Sequence, residues 1–138
     1  MAKPGIALLP TYCDELKKDK ILERAVNLRN FLKGTERVRR VAKFVSEHFK
    51  ETVEPLGYKA FLVGVDREAC AIYKKALDEF LPHEYSEVVY TPNNNDSEQL
   101  KKFHIDSKKE REIRKSFNKL EQNPKILIVT EKLLTGFD

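Results

Sequence analysis

Four consecutive apolar residues, Ile126-Leu127-Ile128-Val129, constrain this chain more than any other stretch. Three of them are β-branched; Pro124 lies just upstream and Gly136 downstream. The run is too short for a helix and is bounded as strands are. A strand with no polar alternation has no face to give to water, so it is predicted to be covered on both sides, as central strands of parallel sheets are. In the loop that follows, Gly136 lets backbone come close to a ligand, and the Asp138 carboxylate can hold a pair of hydroxyls. A loop leaving a central strand is expected to lead into more sheet, so the 138 residues read as a piece of a longer polypeptide.

The rest of the chain fits such a sheet. Lys59 to Val65 carries Ala60-Phe61-Leu62-Val63-Gly64-Val65, a second run with almost no polar interruption. Asp66 stands where a helix N-cap belongs, and Ala69, Ile72, Tyr73, Ala76, Leu77 and Phe80 follow as an apolar stripe that Pro82 breaks off. Glu87 to Thr91 is the next predicted strand, ahead of the loop Pro92-Asn93-Asn94-Asn95-Asp96. Asp96 with Gln99, and Ser107 with Glu110, have capping-box spacing; the second opens a charged helix with the stripe Ile113, Phe117 and Leu120. Two helices come first. One runs from Asp19 through Leu32 and stops near Gly34; Thr35 can cap the other, which buries Val38, Val41, Ala42, Val45 and Phe49 before Pro55 and Gly57. Ile6 to Leu9 is left unassigned.

Strands alternating with helices imply right-handed crossovers and a parallel α/β sheet. Every strand then delivers its following loop to the same edge, where ligands of open α/β sheets bind. Asp66-Arg67, Thr91 to Asp96 and Thr130 to Asp138 are therefore expected at one rim.

Composition bounds the function without choosing it. Lys and Arg number 26 against 22 Asp and Glu, a net charge of +4, a mild bias compatible with a polyanionic partner. With 35% charged residues and no apolar run near the roughly 20 residues of a spanning helix, a membrane protein is not expected. Cys13 and Cys70 lie too far apart in sequence for a Cys-x-x-Cys pair, and no export signal is visible, which suggests free thiols and a cytoplasmic location. His48, His83 and His104 read as structural or surface residues rather than metal ligands, and Cys70 as core. Arg37, Arg39, Arg40 and Lys43 form a basic run, either a solvated face or a nucleic-acid track.

The segments Lys59 to Cys70, Val88 to Thr91 with its asparagine loop, and Lys125 to Asp138 together resemble the second RecA-like lobe of superfamily 2 helicases and translocases. More narrowly, they look like the motor subunit of type I restriction endonucleases, closely over residues 57–138 and more loosely over the two leading helices. That resemblance implies a partial RecA-like three-layer fold, with 57–138 the N-terminal part of lobe 2 and 1–56 a leader with two linking helices. It implies that Thr130 offers its hydroxyl to a DNA phosphate, that Asn93 and Asn94 follow a DNA strand, and that Gly136 and Asp138 face the nucleotide. Independently of it, Arg67 can add charge at a helix start whose free backbone N–H groups can hold a DNA phosphate. The whole enzyme would be an ATP-dependent type I site-specific deoxyribonuclease, using ATP and magnesium to pump double-stranded DNA past its methylation and specificity subunits.

Each of these residues also has a plainer reading. Thr130 can be a strand-end residue, Asp138 a solvated carboxylate, Arg67 part of an ordinary capped helix start, and the asparagines a turn chosen for its dihedrals. No glycine is followed by lysine, so a Gly-x-x-x-x-Gly-Lys-Ser/Thr phosphate loop is absent. The family's magnesium-binding Asp-Glu box, its arginine-finger motif and a nuclease constellation are not found either. No catalytic or metal-binding residue is therefore assigned, and the isolated chain is expected to be inactive. The alternative from another class is a non-catalytic α/β binding or adaptor module of the same architecture.

Overall fold

The computed structural model describes residues 11–131, the side chains of residues 11–17 excepted. Ile6 to Leu9, Gly136 and Asp138 lie outside the described residues. The chain divides into two units, residues 1–31 and 32–138. In the first, helix α1 (Thr11–Leu32) starts earlier than its apolar spacing suggests. Its Ile21, Leu22, Leu28 and Phe31 are each more than half exposed. Helical spacing was enough to form the helix, but among the described residues of this unit there is no second element against which to bury a stripe.

The second unit is built around the predicted central strand. Strand β3 (Ile126–Thr130) lies between β1 (Ala60–Gly64) and β2 (Ser86–Val89), and both pairings are parallel. Its register sets Gly64 beside Thr130 and Val89 beside Val129. Ile126, Leu127, Ile128 and Val129 are all fully buried, a contribution of roughly 1.5–3 kcal/mol from each side chain.

Successive residues of β3 serve opposite faces of the sheet. Ile126 and Ile128 join a core with Val38 and Ala42 of α2 (Thr35–His48) and with Cys70, Tyr73 and Leu77 of α3 (Arg67–Leu77). Leu127 and Val129 pack on the other side with Val89 and with Ile113 and Phe117 of α5 (Ser107–Phe117). Between β2 and α5 the short helix α4 (Glu98–Lys101) completes the order. The result is a three-layer α/β arrangement, a partial RecA-like fold.

Strand β1 departs from the expectation of burial on both faces. Phe61, Val63 and Val65 keep 39–44% of their surface, because α5 packs chiefly on β3 and β2; it meets β1 where Phe117 lies against Phe61, ring centroids 5.1 Å apart. Leu120, expected on the α5 stripe, is exposed; the helix has already ended, with Asn118 as its C-cap. Lys59 ties that end down, its Nζ donating to the carbonyls of Ser116 (3.0 Å) and Gln122 (2.7 Å) over the Phe117 ring. Burial, then the nearby Lys125 charge, lowers the Lys59 pKa.

The caps show what spacing alone misjudges. Asp66 does cap α3, its Oδ1 accepting from the Ala69 N–H at 2.8 Å. Gly34, not Thr35, holds the N-cap position of α2. The cap of α4 is Ser97 rather than Asp96, and that of α5 is Asp106 rather than Ser107. After α2 the chain makes a π-helical turn (Phe49–Val53) and a 3-10 turn (Glu54–Leu56) and leaves through Gly57 at φ 78°, where only glycine is unstrained.

Candidate functional site

Parallel strands fix where the loops go. Strand ends Gly64, Val89 and Thr130 all lie at the C-terminal edge of the sheet, and the segments after them surround one cleft of about 550 Å³. Val65, Asp66 and Arg67 contribute from the first segment, Thr91, Pro92 and Asn93 from the second, Thr130 and Glu131 from the third. Of the residues singled out from sequence, Arg67, Asn93 and Thr130 thus meet at one place. Asn94 is exposed and is not among the lining residues.

Arg67 does more than project into the cleft. Its Nη1 donates to Asp96 Oδ2 at 2.7 Å and to the Thr91 carbonyl at 3.1 Å, and its guanidinium lies 5.6 Å from the centre of the Tyr90 ring. The hydrogen bond to Asp96 raises the Arg67 pKa above its ordinary value. Arg67 therefore links the β1–α3 turn to the β2–α4 loop across 29 positions of sequence.

Asp96 is the hub of this rim. Its Oδ2 accepts from Arg67 Nη1, from the Asn93 backbone N–H at 2.9 Å and from His104 Nε2 at 2.7 Å, with only 3% of the side chain exposed. The Arg67 guanidinium first, and the His104 and Asn93 donors after it, hold the carboxyl well below the usual carboxylate range. A carboxylate shared by three donors fixes the Asn93 turn, and Tyr90 Oη adds a hydrogen bond to the Leu100 carbonyl behind it. Sequence spacing offered Asp96 as a helix cap and His104 as a structural or surface residue, without saying which partner it meets. The signal that would have joined them to Arg67 is spatial, so no local pattern carried it.

The cleft is lined by charges of both signs beside apolar surface. Two carboxylates, Asp66 and Glu131, stand beside Arg67 in its lining. Asp66 is partly offset, since Lys33 Nζ lies 3.1 Å from its Oδ2 and 3.5 Å from Glu68. Backbone N–H groups at the start of α3, the Thr130 hydroxyl and the Asn93 amide supply donors for an anionic oxygen. The carboxylates weaken the field for a free anion, which suits a ligand held by several directional contacts better than one held by charge alone. Cys70, just below the turn, is fully buried, and burial pushes its thiol up to about 12, which makes it a packing residue and not a nucleophile.

Two proteins of Methanocaldococcus jannaschii are similar to this chain over most of its length. One, named as the endonuclease subunit of type I restriction enzyme MjaVIIIP, is 32% identical over 154 aligned residues, which take in 92% of this chain. The other, named as the endonuclease subunit of MjaVIIP, is 36% identical over 128 aligned residues and 80% of this chain. Both names are provisional ones. The chain is a homologue of part of these type I restriction endonuclease subunits. It spans 14% and 12% of their lengths. No family model and no solved structure matches the chain.

Proposed function

We propose that this chain is part of the ATP-dependent DNA translocase of a type I restriction endonuclease, with its rim cleft as the DNA-backbone contact of the second motor lobe. The observation that carries the reading is the meeting of Thr130, Arg67 and Asn93 around one cleft at the C-terminal edge of a parallel sheet, in a homologue of type I restriction endonuclease subunits. Thr130 Oγ1 would donate to a phosphate oxygen, Asn93 and Asn94 would follow the strand, and the Asp96-anchored Arg67 would supply a fixed charge. Gly136 and Asp138, a few residues past Thr130 on the same segment, would face the nucleotide, so that one stretch of backbone feels both ligands.

In this reading residues 57–138 are the N-terminal part of lobe 2 and 1–56 a leader with linking helices. ATP and magnesium would be held mainly by the rest of a longer polypeptide; among the described residues no group of three or more His, Cys, Asp or Glu side chains could hold a metal ion. The DNA would be double-stranded and the partners the methylation and specificity subunits. Among the described residues, no helix is long and apolar enough to cross a membrane.

The test is a pair of substitutions in the full-length subunit. Asp138→Ala should slow ATP-driven translocation while leaving DNA affinity within about twofold, and Thr130→Ala should weaken both. Equal loss of both activities in Asp138→Ala, or no loss in either variant, would remove the reading. ATP turnover by the 138-residue chain alone would also contradict it.

A further inference from the structure

The positive charge of this chain is concentrated in two stretches, residues 29–43, with six Lys or Arg against one Asp or Glu, and residues 101–119. Residues 101–119 hold eight Lys or Arg against three Asp or Glu, an excess of five, whereas the whole chain has an excess of four. Helix geometry sorts the charges further. Ile113 and Phe117 point α5 into the core, and at 100° per residue the opposite direction is that of Lys108, Arg111 and Lys115, spaced i, i+3 and i+7.

All three are exposed, and among the described residues none has a hydrogen bond or ion pair. Arg114, on the flank, is instead engaged by Glu110 at 3.0 Å. Glu112, four residues after Lys108 and three before Lys115, borders the row. The other basic run behaves differently: Arg39 lies 3.3 Å from Glu79 and against the Phe80 ring, and Arg40 lies 3.2 Å from Glu36. Like charges three and four residues apart weaken a helix, and one bordering Glu112 does not offset three cations, so the row is not there for the stability of α5.

We propose that Lys108, Arg111 and Lys115 form a second track for the phosphates of duplex DNA, on the outward face of α5 and separate from the rim cleft. Seven residues of helix span about 10.5 Å, a length over which duplex DNA carries about six phosphates. Flexible cations on a convex helix face read charge and not sequence. The row contains no aromatic side chain on which an unpaired base could stack, which favours a duplex over a single strand. From the motor reading this inference takes only the choice of DNA as the polyanion.

The experiment is binding of the full 138-residue chain to a duplex of arbitrary sequence at several salt concentrations. The variants are Lys108→Gln/Arg111→Gln/Lys115→Gln, a charge-matched control Lys18→Gln/Lys20→Gln/Lys75→Gln, and the charge-keeping Lys108→Arg/Arg111→Lys/Lys115→Arg. Loss of three phosphate contacts lowers the slope of log affinity against log salt by about 2.7, so wild type should lose about 40-fold more affinity than the triple Gln variant between 50 and 200 mM salt. The control and the charge-keeping variant should retain the wild-type slope. An unchanged slope in the triple Gln variant overturns the proposal, as does wild-type binding with no salt dependence, or loss of binding to an acidic protein subunit with DNA binding intact. Thr130→Ala/Asn93→Ala in the same assay separates the two surfaces: a changed row with an indifferent rim defeats the motor reading alone, and the reverse defeats the row alone.

Discussion

Gly64→Ala is the substitution that best probes how the rim is assembled. Gly64 ends β1 two residues before the Asp66 cap, opposite Thr130 in register. A Cβ built there meets Cys70 Sγ at 2.8 Å, the Cys70 backbone nitrogen at 3.1 Å and the Asp66 carbonyl at 3.3 Å. Cys70 is fully buried in the core beneath α3, so its sulfur has no open side to swing toward. The new methyl must push the first turn of α3 away from the strand end. Overpacking of this kind costs about 1–3 kcal/mol, and each kcal/mol lowers Tm by about 4–8 °C in a domain of this size. Cys70→Ala removes the 2.8 Å contact but not the backbone one, so the double variant should recover part of the loss, with a favourable coupling above about 0.5 kcal/mol. Urea unfolding of the four proteins of the cycle, with m unchanged, measures this directly. The same shift carries Arg67 away from Thr91 and Asp96, so the Gly64→Ala rim should also bind DNA more weakly. A Gly64→Ala protein within about 0.5 kcal/mol of wild type, or strict additivity with Cys70→Ala, would refute the claim that the missing side chain is what lets α3 sit under the rim.

Two pH effects follow from the buried groups. Cys70 and Tyr90 are each pushed up to about 12, chiefly by burial, whereas an unfolded thiol ionises near 8.5 and an unfolded phenol near 10. Above about pH 9 the unfolded chain sheds protons that the folded chain keeps, so stability should fall as pH rises toward 12, by up to about 1.4 kcal/mol per pH unit for each group. Cys70→Ala should flatten the first part of that decline; a wild-type stability that is level from pH 9 to 11 contradicts the burial argument. Asp96 has the opposite sign: with its carboxyl held low, its contribution is present above about pH 4 and is lost as the pH falls below it. Wild type should therefore lose more stability between pH 5 and pH 3 than Asp96→Asn, and equal losses in the two would remove Asp96 as the anchor of the rim.

Much of the architecture was legible in short-range chemistry. The unbroken Ile126–Val129 run required cover on both faces, and both faces are covered. The alternation of strand and helix required parallel pairing, and parallel pairing alone sends Asp66, Thr91 and Thr130 to one edge, whichever order the strands adopt. Asp66 as a cap was readable because its partner, the Ala69 N–H, is three residues away. These are interactions whose partners lie within a turn or a strand of each other.

What a residue does toward a distant segment was not legible. Asp96 and Ser97 both satisfy the preferences of a helix cap, and only the position of Arg67 decides that Ser97 caps α4 while Asp96 turns inward to a cation 29 residues earlier. Exposure of Phe61, Val63 and Val65 depends on which strands α5 overlies, a fact of layering absent from the apolar pattern of β1 itself. Two basic runs look alike as sequence, yet in one Arg39 and Arg40 meet Glu79 and Glu36, while the other leaves Lys108, Arg111 and Lys115 exposed and, among the described residues, without a partner. Hydrophobic period and capping distance are written along the chain. Strand order, the choice among equivalent caps and the pairing of charges depend on distances between remote segments, and those exist only once the chain has packed.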